Sequence, residues 1–141
     1  MSSLGRFFLI VEDSETMSFL YGNVAKQLGF EVIQRAASVE QAKQMDLSEV
    51  DVVLADWSLG GMNGVDFARE VRDGKTSIRA NVPILLVTGH ADRKLVGEAQ
   101  KAGIDGVMAK PVSAQELGKR IRAAWAARGG VPEPAAKAAT K

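Results

Sequence analysis

Short apolar runs alternate with stretches of helical periodicity along nearly the whole chain, and few folds accommodate that order. Phe7 to Val11 is a continuous apolar run ending in acids, and Met17, Tyr21, Val24 and Leu28 follow at helical spacing with Gly29 placed to stop the helix. Glu31 to Arg35 alternates as a second strand, and Ser38 with Gln41 opens a helix carrying Val39, Ala42 and Met45. Val50 to Ala55 reads as a third strand, interrupted only by Asp51, and beyond the glycines at 60, 61 and 64 a helix places Val65, Ala68 and Val71 on one face. A polar loop from Asp73 to Asn81 leads to a fourth strand, Pro83 to Thr88, and a helix from Asp92 to Ala102 closed by Gly103. Gly106 to Ala109 makes a short fifth strand, and Ser113 with Glu116 caps a last helix bearing Leu117, Ile121 and Trp125.

About five strands alternating with about five helices predict an α/β domain with a doubly wound parallel sheet covered on both faces, because each right-handed crossover lays its helix on the sheet. At 141 residues the chain fits one such domain. A hydrophobic share of 46% supplies a packed core. The segment from Gly129 to Lys141, rich in Ala, Pro and Lys, lacks apolar periodicity and is expected to be a disordered tail or linker.

Composition removes several chemistries. Without cysteine there are no disulfides, thiolate zinc sites or thiol nucleophiles, which suits a reducing compartment. The N-terminal run has only Arg6 as a positive residue and meets Glu12 and Asp13 before any cleavage pattern, so no signal peptide is read. No apolar stretch nears the roughly 18–20 residues that span a bilayer, so neither membrane insertion nor a membrane partner is expected, and a cytoplasmic location is. A formal net charge of +1 offers no basic field for nucleic acid, and no direct nucleic-acid partner is expected.

In an open α/β sheet, ligands bind beyond the carboxyl ends of the strands. Glu12 and Asp13 stand there after the first strand, Asp56 after the third, Thr88 after the fourth and Lys110 after the fifth. Three ionised carboxylates brought together repel one another and call for a cation. With no cysteine and a single histidine, Mg2+ suits the set better than zinc, and it leaves room for a phosphate oxygen. The Thr88 hydroxyl and the Lys110 ammonium are of the types that hold the remaining oxygens of a phosphoryl group. A cation, a hydroxyl and an ammonium around one carboxylate make a phosphoryl-transfer site that works by positioning and charge neutralisation.

These residues resemble the response-regulator receiver domains of two-component signalling. The resemblance rests on Val11-Glu12-Asp13, Leu54-Ala55-Asp56, Gly64 eight positions later, Val87-Thr88-Gly89 and Lys110-Pro111, and spans about residues 6–127. It implies the flavodoxin-like strand order 2-1-3-4-5, with an N-terminal extension over 1–5, a receiver domain over 6–128 and the tail beyond. It further implies that Asp56 is the phosphoacceptor, that Asp13 and Asp56 hold Mg2+ with Glu12 acting through water, and that the Ser58 backbone carbonyl is another ligand. Thr88 and Lys110 would be the phosphate-sensing pair, and Lys110-Pro111 resembles the family's cis peptide. The implied partners are a histidine kinase or histidine phosphotransfer protein as donor, and a downstream protein docking on the fourth helix, fifth strand and last helix. Such a domain is a regulatory phosphoacceptor rather than an enzyme with a turnover substrate. With no second domain legible after the last helix, its effect is expected to pass through another protein or a region outside this chain.

Three departures from the family pattern stand out. Leu59-Gly60-Gly61 replaces the proline usually found after the acceptor, which predicts a looser loop. Val107 occupies the place of the usual aromatic switch residue, so no ring in the fifth strand reports phosphorylation. Trp57, Ser58 and His90 occupy the variable positions beside the site. Two other readings compete: an interaction module that keeps the fold without depending on phosphate, for which Val107 and the glycine loop speak, and a flavodoxin-like or small phosphatase-like enzyme. The latter lacks a phosphate-cradling glycine loop, since Asp13-Ser14-Glu15 is acidic. His90 is expected in the first turn of the fourth helix, Trp125 in the core, and Arg120, Arg122 and Arg128 on a solvated helix face.

Overall fold

The computed structural model describes residues 5–129. The strands are β1 (Phe7–Val11), β2 (Val32–Ala36), β3 (Val52–Asp56), β4 (Ile84–Thr88) and β5 (Gly106–Ala109), and the helices α1 (Glu15–Gln27), α2 (Val39–Lys43), α3 (Gly64–Arg72), α4 (Arg93–Lys101) and α5 (Ala114–Ala127). All neighbouring strands pair in parallel, in the order β2-β1-β3-β4-β5, so the expected class and order are borne out. The expected extension and tail fall largely outside the described residues.

Side chains alternate across each strand, and the core divides accordingly. Phe8, Ile10, Val52, Leu54, Leu85, Val87 and Met108 pack under α1 and α5 against Tyr21, Val24, Leu117 and Ile121. Leu9, Val11, Val53, Ala55, Ile84 and Leu86 pack under α2, α3 and α4 against Val39, Phe67, Ala68, Val71 and Ala99. β3 and β4 are buried along their entire lengths, as central parallel strands covered on both faces must be.

Every helix opens on a capping side chain. Ser14, Ser38, Asn63, Asp92 and Ser113 each accept a hydrogen bond from a backbone N–H three residues on. At Ser38 the reciprocal bond also forms, with Gln41 Oε1 accepting from the Ala37 N–H at 2.6 Å, one residue before the cap. Glu116 instead turns along its helix to Arg120, 3.6 Å away.

The structure shifts several boundaries. β2 begins and ends one residue later than the alternation suggests, and β3 starts at Val52 because the Asp51 carboxylate turns aside to accept from the Arg6 and Phe7 N–H groups at 2.7 and 2.9 Å. α2 stops at Lys43, and Met45 packs against the core from the following turn. His90 lies before α4 rather than in its first turn, since Asp92 is the cap. Trp125 is only partly buried at the edge of its core cluster. Arg128 is not on a solvated face: its Nε donates to Asp105 Oδ1 at 2.8 Å and another nitrogen to the Gly103 carbonyl at 2.9 Å.

Arg72, at the end of α3, organises the pole of the sheet away from the acids. It donates to the carbonyls of Ala80, Val82 and Gly103 and to Asp105 Oδ2, tying the loop before β4 to the entry to β5. Burial first, then the neighbouring Arg128, lowers its pKa to about 10 against the pull of Asp105.

Candidate functional site

Parallel strands end together at one edge, and the register places the polar residues there. Val11 pairs with Ala55, Asp56 with Val87 and Thr88 with Ala109, so Glu12, Asp13, Asp56, Thr88 and Lys110 leave the sheet at one level. Glu12 is still held as a strand residue, donating its N–H to the Ala36 carbonyl at 2.9 Å. The Lys110 N–H donates to the Thr88 carbonyl at 2.8 Å, and the Lys110–Pro111 peptide that follows is cis.

Carboxylate oxygens of Glu12, Asp13 and Asp56 lie within 4.8 Å of one another. Asp13 is exposed, whereas Glu12 and Asp56 are each 6% exposed. Lys110 Nζ reaches in from β5 to 3.2 Å from Asp56 Oδ2 and 3.9 Å from Glu12 Oε1. Glu12 Oε2 accepts from the Ser14 N–H at 3.0 Å, but Oε1 is buried without a hydrogen-bond partner. Burial raises the Glu12 pKa and the Asp56 charge adds to the rise, against the Ser14 N–H and Lys110, which lower it. A buried, unpartnered carboxylate oxygen beside two further carboxylates is costly unless a cation shares them. The donor set is anionic and made of oxygen alone, which fits a hard divalent ion.

Thr88 is buried at the same edge, yet its hydroxyl is engaged locally, accepting from the His90 N–H at 3.2 Å. It lines a cavity of about 480 Å³ with Trp57, Ser58, Gly89, His90 and Leu95, directly beside the acids. Trp57 is 37% exposed at its wall. His90 is exposed, with Nε2 3.7 Å from Asp92 Oδ2. The structure thus brings Glu12, Asp13, Asp56 and Lys110 into one cluster and stands Thr88 and Ser58 in the adjoining cavity.

Two glycine features shape the loop after β3. Gly60 and Gly61 both adopt positive φ, 61° and 68°, which side chains disfavour. Gly64 begins α3 against the site itself: a Cβ there would lie 2.7 Å from the Asp56 carbonyl oxygen and 2.5 Å from Leu86 Cδ1. The Gly64 N–H donates to the Trp57 carbonyl at 2.9 Å, so the helix start and the end of β3 hold each other.

Tyr21 is also of interest, although its place on the apolar stripe of α1 marks it in the sequence only as a core residue. Burial, with the charges of Glu12 and Asp56, pushes the pKa of this phenol up to about 12. Its helical spacing could have shown that it faces the sheet, but not that its ring stands in the layer below the acids.

A sheet of order 2-1-3-4-5 with acids after β1 and β3 and a lysine after β5 defines a class of small α/β proteins with an anionic pocket at the strand ends. The model of the response regulator receiver domain matches residues 8–122, and the chain belongs to that family. It is 36% identical over 114 residues to the chemotaxis protein CheY of Pseudomonas aeruginosa, covering 80% of this chain and 90% of the relative. The chemotaxis protein CheY-3 of Vibrio cholerae is 32% identical, over 80% of this chain and 86% of its own. Among solved structures, a CheY-like response regulator receiver domain protein from Methanospirillum hungatei superposes with a TM-score of 0.76 at 22% identity, over 88% of this chain and 96% of that one, a likeness of fold. The chain is therefore a receiver domain of two-component signalling, a regulatory class rather than a conventional enzyme. Among the described residues no helix is long and apolar enough to cross a membrane.

Proposed function

We propose that this receiver domain is a switch that takes a phosphoryl group onto Asp56 from a histidine kinase or histidine phosphotransfer protein. The observation that carries the reading is the buried Asp56 carboxylate, with Lys110 Nζ 3.2 Å away on one side and the unpartnered Glu12 Oε1 in the same cluster. Asp13 and Asp56 would hold Mg2+, with Glu12 behind them and the Ser58 carbonyl beside them. When bound, the ion supplies neutralisation of the charge that gathers on the phosphoryl oxygens.

The chain's own groups do the rest. Asp56 offers one carboxylate oxygen to phosphorus, and the donor's histidine nitrogen leaves with the bonding pair. Lys110 releases its hold on Asp56 and pairs with a phosphoryl oxygen, while the Thr88 hydroxyl exchanges its local bond for another of those oxygens. Because Thr88 is tied to the His90 N–H, its movement draws the loop before α4 with it. The added charge then biases two arrangements of that loop, and with them the α4-β5-α5 face on which a downstream protein docks.

Incubation with Mg2+ and a small acyl phosphate tests this. Intact mass is expected to rise by one phosphoryl group in the wild type and not in Asp56→Asn. An unchanged wild-type mass, or a rise that persists in the variant, overturns the assignment.

A further inference from the structure

The alternation of side chains across the sheet groups the charged residues in a way their order in the chain does not. Glu12 follows Phe8 and Ile10 onto the α1 and α5 side, Asp56 follows Val52 and Leu54, and Lys110 follows Met108. All three stand at the rim of the core layer that contains Tyr21. Tyr21 is 3% exposed, and its hydroxyl is buried without a hydrogen-bond partner. Glu12 Oε1 is buried and unpartnered as well. One is a donor lacking an acceptor and the other an acceptor lacking a donor, and each is costly to leave so. Beside the ring runs a groove of about 190 Å³ lined by Met17, Leu20, Val112 and Leu117, which gives the side chain room to move.

In the resting arrangement Lys110 lies 3.9 Å from Glu12 Oε1 and partly offsets its charge. Turning that ammonium toward a phosphoryl group removes the offset while Glu12 stays buried. We propose that Tyr21 is a positioning residue which then donates its hydroxyl to Glu12 Oε1, supplying the partner that oxygen lacks and keeping the carboxylate aimed at the cation when Lys110 has left it. This rests on the reading of Asp56 as phosphoacceptor. The ring packs in the core layer on the same face of the sheet as Glu12, and burial, with the charges of Glu12 and Asp56, leaves the phenol its proton to donate at neutral pH.

Tyr21 is the only tyrosine in the chain, so a label at its Cζ gives a single resonance. The full chain, saturated with Mg2+, is titrated with beryllium fluoride as phosphoryl mimic, and fluorine NMR reports the bound mimic. The tyrosine resonance is expected to move downfield as the mimic binds. Tyr21→Phe is expected to leave Mg2+ affinity of the free protein within about twofold and to weaken it roughly tenfold in the presence of the mimic, the worth of one hydrogen bond to a charged group. A ring needed only for packing would change both affinities alike. Bound mimic with a stationary tyrosine line, or an equal loss of both affinities in Tyr21→Phe, overturns the role of Tyr21 alone. Failure of the wild type to bind the mimic overturns the acceptor reading together with it.

Discussion

Lys110 Nζ sits 3.2 Å from Asp56 Oδ2, bridging the end of β5 to the end of β3 across the intervening β4. The lysine side chain is 30% exposed and the aspartate side chain 7%, so the pair is shielded on its acidic side. In the metal-free protein this ammonium is the cation nearest two buried carboxylates, and its removal leaves them uncompensated. Lys110→Ala is expected to lower the thermal midpoint without divalent ions by the equivalent of about 2 kcal/mol, and Mg2+ to restore most of that loss. A midpoint equal to wild type without metal would contradict the arrangement.

Glu12 acts in the opposite sense. Its buried, unpartnered oxygen beside Asp56 costs stability until a cation arrives. Glu12→Gln keeps an oxygen for the Ser14 N–H and removes the charge. In metal-free buffer it is expected to raise the melting temperature by a few degrees, corresponding to about 1 kcal/mol, and to reduce the further rise on adding Mg2+. Calorimetry with and without Mg2+ checks both parts.

The single tyrosine makes the alkaline limb readable. The native phenol titrates near 12 against an ordinary value of 10.0, because of burial and the charges of Glu12 and Asp56, with Lys110 facing the same acids from β5. Since the folded value is raised, the folded state holds the proton more tightly than the unfolded chain. The associated stability is complete below pH 10 and is lost as pH rises toward 12. Phenolate absorbance of the native protein is expected to stay flat through pH 10, and Tyr21→Phe to flatten the fall in thermal midpoint between pH 10 and 12. Ionisation at the ordinary value would show the ring to be solvated.

At the opposite pole, Arg72 is the group whose loss should cost most. Its fork serves three carbonyls and Asp105 with a side chain 15% exposed, and a lysine's single nitrogen cannot satisfy them all. Arg72→Lys is expected to destabilise by about 2 kcal/mol and Arg72→Ala by about 3 kcal/mol in urea unfolding, with Mg2+ binding kept. Equal stability of wild type and lysine variant would show that the fork is dispensable.

The fold was legible because β3 and β4 are apolar at almost every position and because Ser38 and Ser113 announce the starts of α2 and α5. The acids were legible because period-two strands must end where their apolar runs end, which placed Glu12, Asp56, Thr88 and Lys110 at one edge. Partnerships across the sheet were not. Arg128 looked like one of several solvated arginines, since nothing local to α5 reveals that Asp105 waits at the entry to β5. Tyr21 looked like one more apolar ring, because its hydroxyl matters only once β1 and β3 bring their carboxylates above it. His90 was placed in the first turn of α4, whereas it stands two residues before the Asp92 cap.

An acyl phosphate on aspartate is reduced by borohydride to homoserine, which marks the modified position permanently. Peptide mass mapping after treatment with Mg2+, an acyl phosphate and borohydride is expected to find homoserine at residue 56. Homoserine at residue 13, the longer alcohol 2-amino-5-hydroxypentanoic acid at residue 12, or reduction at no position, would contradict the placement of the acceptor in the grip of Lys110.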